Sequence, residues 1–180
     1  VVLTSSLTKN NLIEALRSRH VYASEDKNLS VIMKVNNRLC GDIITPLPAA
    51  GELSISYKIT DADEPDAEYE IQVWRDAVGG QTARLVSSVT VEAGSGIIED
   101  VAFSGEPQYF FFKIIQRSDD SGSSGNRVWT APVWFERGSS LLMQPEKTSD
   151  PADPVINKAV ASKKSEVFHV SDECLDAKQI

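Results

Sequence analysis

Leu53-Ser54-Ile55-Ser56-Tyr57-Lys58-Ile59-Thr60 decides the fold class. Its apolar residues, Leu53, Ile55, Tyr57 and Ile59, alternate with polar ones, which is the period of a strand with one face on a core. The same period recurs on either side. Upstream, Leu29–Val35 reads as a strand ending at an Asn36-Asn37 turn, and downstream Tyr69-Glu70-Ile71-Gln72-Val73-Trp74-Arg75 alternates again before Gly79-Gly80. Ala83–Glu92 offers Leu85, Val89 and Val91 as a further strand, and Gly94-Ser95-Gly96 reads as a hairpin turn. Tyr109–Ile115 is almost continuously apolar, as expected of a central strand covered on both faces. Val128–Phe135 forms the last strand, and Pro132 inside it marks an edge or a bulge. Six or seven short strands in about 110 residues predict a mainly β domain over residues 27–137, an immunoglobulin-like antiparallel β-sandwich.

One short α-helix precedes the sandwich. Thr8 is an N-cap residue, Leu7 and Leu12 fall at the two hydrophobic-staple positions, and Leu12, Ile13 and Leu16 share a face. Arg17 and Arg19 suit the C-terminal end of a helix of about three turns. Val1–Leu3 reads as the end of a buried strand and His20–Ala23 as another short one, so residues 1–26 form a strand-plus-helix unit. Residues 138–158, with Gly138-Ser139-Ser140 and two Asp-Pro steps, read as a linker. Residues 159–180 form a tail with some apolar pattern.

Composition excludes several functions. The net charge is −8 and the basic residues are scattered, so phosphate backbones are repelled and nucleic acid is not an expected partner. No apolar run approaches the ~18 residues of a membrane span, and no basic-then-apolar signal peptide opens the chain. The two cysteines, Cys40 and Cys174, lie in different segments, and Cys40 reads as a small buried apolar residue.

Catalytic constellations are sparse. The two histidines, His20 and His169, are far apart, whereas a catalytic metal centre draws several such ligands together. His20 is followed by Glu25 and Asp26, which read as a solvated strand end. No nucleophile elbow, HExxH or phosphate loop is present. Asp61-Ala62-Asp63-Glu64-Pro65-Asp66 has the composition of a calcium loop without EF-hand spacing, and reads as a solvated turn. Trp74, Trp129, Trp134, Tyr109 and Phe110–Phe112 are enough aromatics to line a sugar-binding face, although such residues more often fill a core. An independent carbohydrate- or cell-surface-binding module, with a glycan or small-molecule ligand, is therefore the alternative reading.

A family resemblance supplies a leading one. Leu12-Ile13-Glu14-Ala15-Leu16-Arg17-Ser18-Arg19-His20-Val21-Tyr22-Ala23-Ser24-Glu25-Asp26 resembles the segment closing the catalytic domain of PHP-type (polymerase and histidinol phosphatase) metallohydrolases, in particular their carbaryl-hydrolase-like CehA/McbA branch. Asp26-Lys27-Asn28-Leu29 continues the likeness. Val35-Asn36-Asn37-Arg38-Leu39-Cys40-Gly41-Asp42 is similar to a further element of that branch, with Cys40 where Met is usual, and Arg127-Val128-Trp129-Thr130-Ala131-Pro132-Val133-Trp134 to its closing strand. The resemblance spans roughly residues 1–136.

The resemblance implies a bacterial parent that hydrolyses esters, amides or phosphoesters with a divalent metal, zinc, manganese or iron. The metal ligands of such enzymes precede the position of Val1, so the resemblance gives this chain no catalytic or cofactor-binding residue. It implies a C-terminal portion whose partner is the catalytic domain of the same polypeptide. By association, an enzyme of this build suggests a secreted or cell-envelope setting. The tail from Val160 to His169, with Cys174 and Ala177-Lys178-Gln179-Ile180, resembles the start of an Ada-type zinc-binding module. His169 and Cys174 would be metal ligands of an incomplete site, with four residues between them rather than three and without the second cysteine pair.

Overall fold

The structure, a computed structural model, describes residues 1–117 and 125–138. The tail, with His169 and Cys174, and nearly all of the 138–158 linker lie outside the described residues. In chain order the elements are α1 (Lys9–Arg17), β1 (Tyr22–Ser24), β2 (Leu29–Val35), β3 (Arg38–Leu39), β4 (Ile43–Ile44), β5 (Gly51–Asp61), β6 (Glu68–Ala77), β7 (Arg84–Glu92), β8 (Gly94–Phe103), β9 (Gln108–Gln116), β10 (Arg127–Thr130) and β11 (Val133–Phe135). They build two sheets. One has the order β3-β2-β5-β8; in the other, β9 lies between β6, which carries β7 on its far side, and the pair β10 and β11, which carry β1 and β4. Apart from the parallel β11·β4 pair, all ladders are antiparallel. The expected immunoglobulin-like β-sandwich is the observed architecture.

Period-two patterning places the core. Leu29, Val31, Met33 and Val35 of β2 and Ile55 and Ile59 of β5 point inward from one sheet. Tyr69, Ile71 and Val73 of β6 and Phe110, Phe112 and Ile114 of β9 point inward from the other, and all join a single apolar cluster. Tyr22 ties the layers together: from β1 its buried hydroxyl donates to the Leu29 carbonyl at 3.2 Å and accepts from the Val31 amide at 3.3 Å. The Asn36-Asn37 turn joins β2 to β3 with both residues at positive φ, 48° and 62°, as a two-residue turn between twisted strands requires.

Three local expectations are corrected. Gly94-Ser95-Gly96 is not a hairpin turn but the start of β8, pairing with Ile59, Lys58 and Tyr57 of β5. Gly96 lies against Tyr57, so a β-carbon there would collide with the phenol. Between β7 and β8 the chain passes from one sheet to the other through the single residue Ala93. Further along β8, a bulge at Glu99-Asp100, with Asp100 at φ 61°, turns both Ile98 and Val101 inward. Val128–Phe135 is two strands, because Ala131-Pro132 interrupts the ladder and shifts its register on β9. β9 is central within its sheet, yet only one of its faces is buried: Tyr109, Phe111, Lys113 and Ile115 look outward and are half-buried.

Helix α1 begins as its sequence implies, with Thr8 Oγ1 accepting from the Asn11 amide at 3.3 Å. It ends after nine residues in a Schellman motif: the His20 amide donates to the Ala15 carbonyl at 2.9 Å and the Arg19 amide to the Leu16 carbonyl at 3.1 Å. Arg19 holds the left-handed position that glycine usually takes, at φ 59°. The helix end rests on Gly41, where any β-carbon would strike the Ser18 and Arg19 carbonyls. Arg19 Nε donates to the Gly41 carbonyl at 3.0 Å and completes the joint.

Candidate functional site

The register of the larger sheet assembles an aromatic strip on its outer face. Trp74 of β6 lies opposite Phe111 of β9, and Tyr109 follows Phe111 by two residues on the same face. Trp134 of β11 lies opposite Tyr109. The Trp74 and Phe111 ring centroids are 6.2 Å apart with planes 15° from parallel; Tyr109 and Phe111 are 6.5 Å apart at 22°. Leu85, opposite Trp74 on β7, and Ile43, beside Trp134 on β4, extend the strip and are 46% and 38% exposed.

Polar groups flank the strip. Trp74 Nε1 donates to Gln72 Oε1 at 3.2 Å, and the Arg19 guanidinium stands 5.3 Å over the Trp134 ring. Trp129 lies on the same face opposite Lys113, with Arg127 stacked 5.3 Å over it. None of the three tryptophans is buried, so the expectation that these aromatics fill the core is corrected for them and for Tyr109 and Phe111. It holds for Phe110 and Phe112, which are fully buried. Half-exposed aromatic rings with adjacent donors and acceptors suit a ligand that is apolar on one side and hydroxylated at its edge.

His20, Glu25 and Asp26 are not brought together. His20 Nε2 meets Asp42 Oδ1 at 3.0 Å, and Arg38 Nε reaches the other oxygen at 3.2 Å. Glu25 takes Arg127 in a two-pronged pair at 2.8 and 2.6 Å, and that guanidinium holds its carboxyl below the ordinary range. Cys40 is buried, and desolvation pushes its thiol up to about 12, so it stays a protonated packing group at neutral pH.

The acidic turn is solvent-exposed from Ala62 to Asp66, as its composition suggests, but Asp61 at its head is buried. Asp61 is 3% exposed and accepts from the Tyr69 hydroxyl at 2.9 Å and from the Asp63 and Glu64 amides at 3.1 and 3.3 Å. Oxygens of Asp61, Glu64 and the distant Asp26 come within 4.8 Å of one another. All-oxygen sets of this kind suit a hard cation such as calcium, but donors already hold these carboxylates. The Gln116 amide donates to Glu64, and the Asn126 amide donates to Asp26 at 3.1 Å. The knot fastens the ends of β5 and β9 to the segment before β10.

Burial, then the hydrogen bond to Asp61 and its charge, raises the Tyr69 phenol above its usual value near 10. A raised phenol favours the folded state while the unfolded phenol is protonated, and this stabilisation is lost as pH climbs past about 10. The stability gap between the wild type and Tyr69→Phe should therefore be full at pH 8 and narrow between pH 10 and 11, measured as urea midpoints. A gap independent of pH would contradict the Tyr69–Asp61 bond.

No protein-family model, curated protein or solved structure matches the chain. The aromatic strip and the acidic knot both escaped sequence reasoning about site geometry. The residues of each were visible, but only strand register and long-range pairing bring them together.

Proposed function

We propose that this chain is a non-catalytic accessory β-sandwich of a bacterial metal-dependent hydrolase of PHP type, packing on its catalytic domain. Supporting this reading is the helix at its N-terminal end. α1 is anchored to the sandwich through Arg19 and Gly41, yet Leu7 and Leu16 are 46% and 52% exposed. Leucines presented on an anchored helix (Leu16) and just before its N-cap (Leu7) fit a surface that another domain covers. Hydrolysis assays test the catalytic half of the reading. The chain with added zinc, manganese or iron should turn over no carboxyl ester, amide or phosphoester in a chelator-sensitive way, and such turnover would overturn it.

The aromatic strip favours a second reading, in which the sandwich itself binds a glycan. Binding to a polysaccharide panel, read by affinity electrophoresis, would then weaken about tenfold in Trp74→Ala and in Trp134→Ala, the loss expected for one aromatic contact. Retardation unchanged by both substitutions, or absent throughout, would remove this reading.

A further inference from the structure

On the flank of the sandwich where β7 faces β8, two clefts of about 400 and 380 Å³ adjoin, and Arg75 and Arg84 line both. The two arginines are cross-strand partners. Like charges directly opposite each other on neighbouring strands destabilise a sheet, so a relieving counter-charge is expected nearby. Among the described residues, no carboxylate forms an ion pair with either guanidinium.

The acidic groups around the clefts are occupied elsewhere or do not reach. Asp76 accepts from the Ala77 and Thr82 amides at 2.8 and 3.0 Å, and Glu106 pairs with Arg137 at 2.6 Å. Asp100, at the β8 bulge, lines the second cleft and pairs with neither arginine. One Arg75 nitrogen is fixed on the Ala102 carbonyl at 3.1 Å, which holds its guanidinium across the gap between the sheets. Burial and the neighbouring Arg84 charge both lower the affinity of Arg75 for its proton. Ser104 Oγ, also in the first cleft, accepts from Gln108 Nε2 at 2.8 Å and from the Glu106 amide at 3.4 Å, leaving its own proton to donate.

We propose that Arg75 and Arg84 form an oxyanion-binding site, taking the phosphate or carboxylate group of a small ligand seated in the first cleft with Ser104 as a further donor. Two guanidiniums on one anion make charge-assisted bonds and replace mutual repulsion with a shared partner. The cleft volume suits a ligand of sugar size.

The test titrates the whole chain with inorganic phosphate and with galacturonate, galactose serving as the neutral control, at constant ionic strength in chloride. Binding is read by amide chemical shifts at residues 75, 84 and 104. Wild type should show saturable shifts with one or both anions and none with galactose. Arg75→Gln and Arg84→Gln should each weaken binding about tenfold. Without anion, each should raise the melting temperature by roughly 1–3 °C, because a like-charge pair is removed. Tighter phosphate binding assigns the site to phosphate esters, and tighter galacturonate binding assigns it to uronic acids. Shifts that are absent in wild type, or unchanged in the two variants, would overturn the site.

Discussion

Phe135→Ala is expected to cost the domain about 4 kcal/mol of unfolding free energy, the largest single-residue loss in the sandwich. Phe135 is fully buried on β11, where it bridges the two layers. Its ring lies 4.6 Å from that of Phe103 on β8 in the opposing sheet, and 5.7 Å from Phe110 on β9, edge to face. Truncation removes the apolar transfer energy of a phenyl ring and leaves a cavity between sheets whose backbones are fixed by their ladders. Two aromatic contacts vanish as well. Urea denaturation should show a lower midpoint with an unchanged slope. A loss below about 1.5 kcal/mol would mean that the layers close over the gap.

Asp61→Ala is expected to cost about 3 kcal/mol, for a different reason. The substitution removes little apolar contact, but it strands the buried Tyr69 hydroxyl, while the Asp63 and Glu64 amides, on the exposed turn, lose their acceptor to water. Leaving buried polar groups without partners is more costly than never having paired them. Tyr69→Phe should cost only about 1 kcal/mol, since two donors still serve the carboxylate. In the double variant the phenol is no longer stranded, so its cost should fall below the sum of the two singles. Strict additivity in that cycle would show that the two side chains do not share a bond.

The strands that the sequence announced are those whose alternation survives into the structure. Leu29–Val35 and the run from Leu53 to Thr60 keep one face on the core throughout, so pattern and burial coincide. β8 was hidden because its bulge places two polar residues between Ile98 and Val101, which breaks the period of two. Gly94 and Gly96 imitate a turn, while Gly96 in fact serves the close approach of Tyr57. The start of α1 was legible in Thr8, whereas its end was not, because Arg19 rather than glycine takes the left-handed position.

The candidate sites were less legible for a common reason. Tyr109–Ile115 is apolar on both faces, and nothing local says that one face stays open to water. Only the ladders from β9 to β6 and β11 show that Trp74 and Trp134 fall on that open face. The acidic knot draws Asp26, Asp61 and Glu64 from distant segments, and the arginine pair depends on the β6–β7 register. Spacing along the chain carries none of these proximities.

The proposal that this sandwich serves a PHP-type hydrolase is tested most directly by sequencing the coding region upstream of Val1. An Asp-x-His shortly before Val1 and a His-x-His pair further upstream are expected, the metal-binding elements that the family likeness implies. An upstream region without those elements would contradict it.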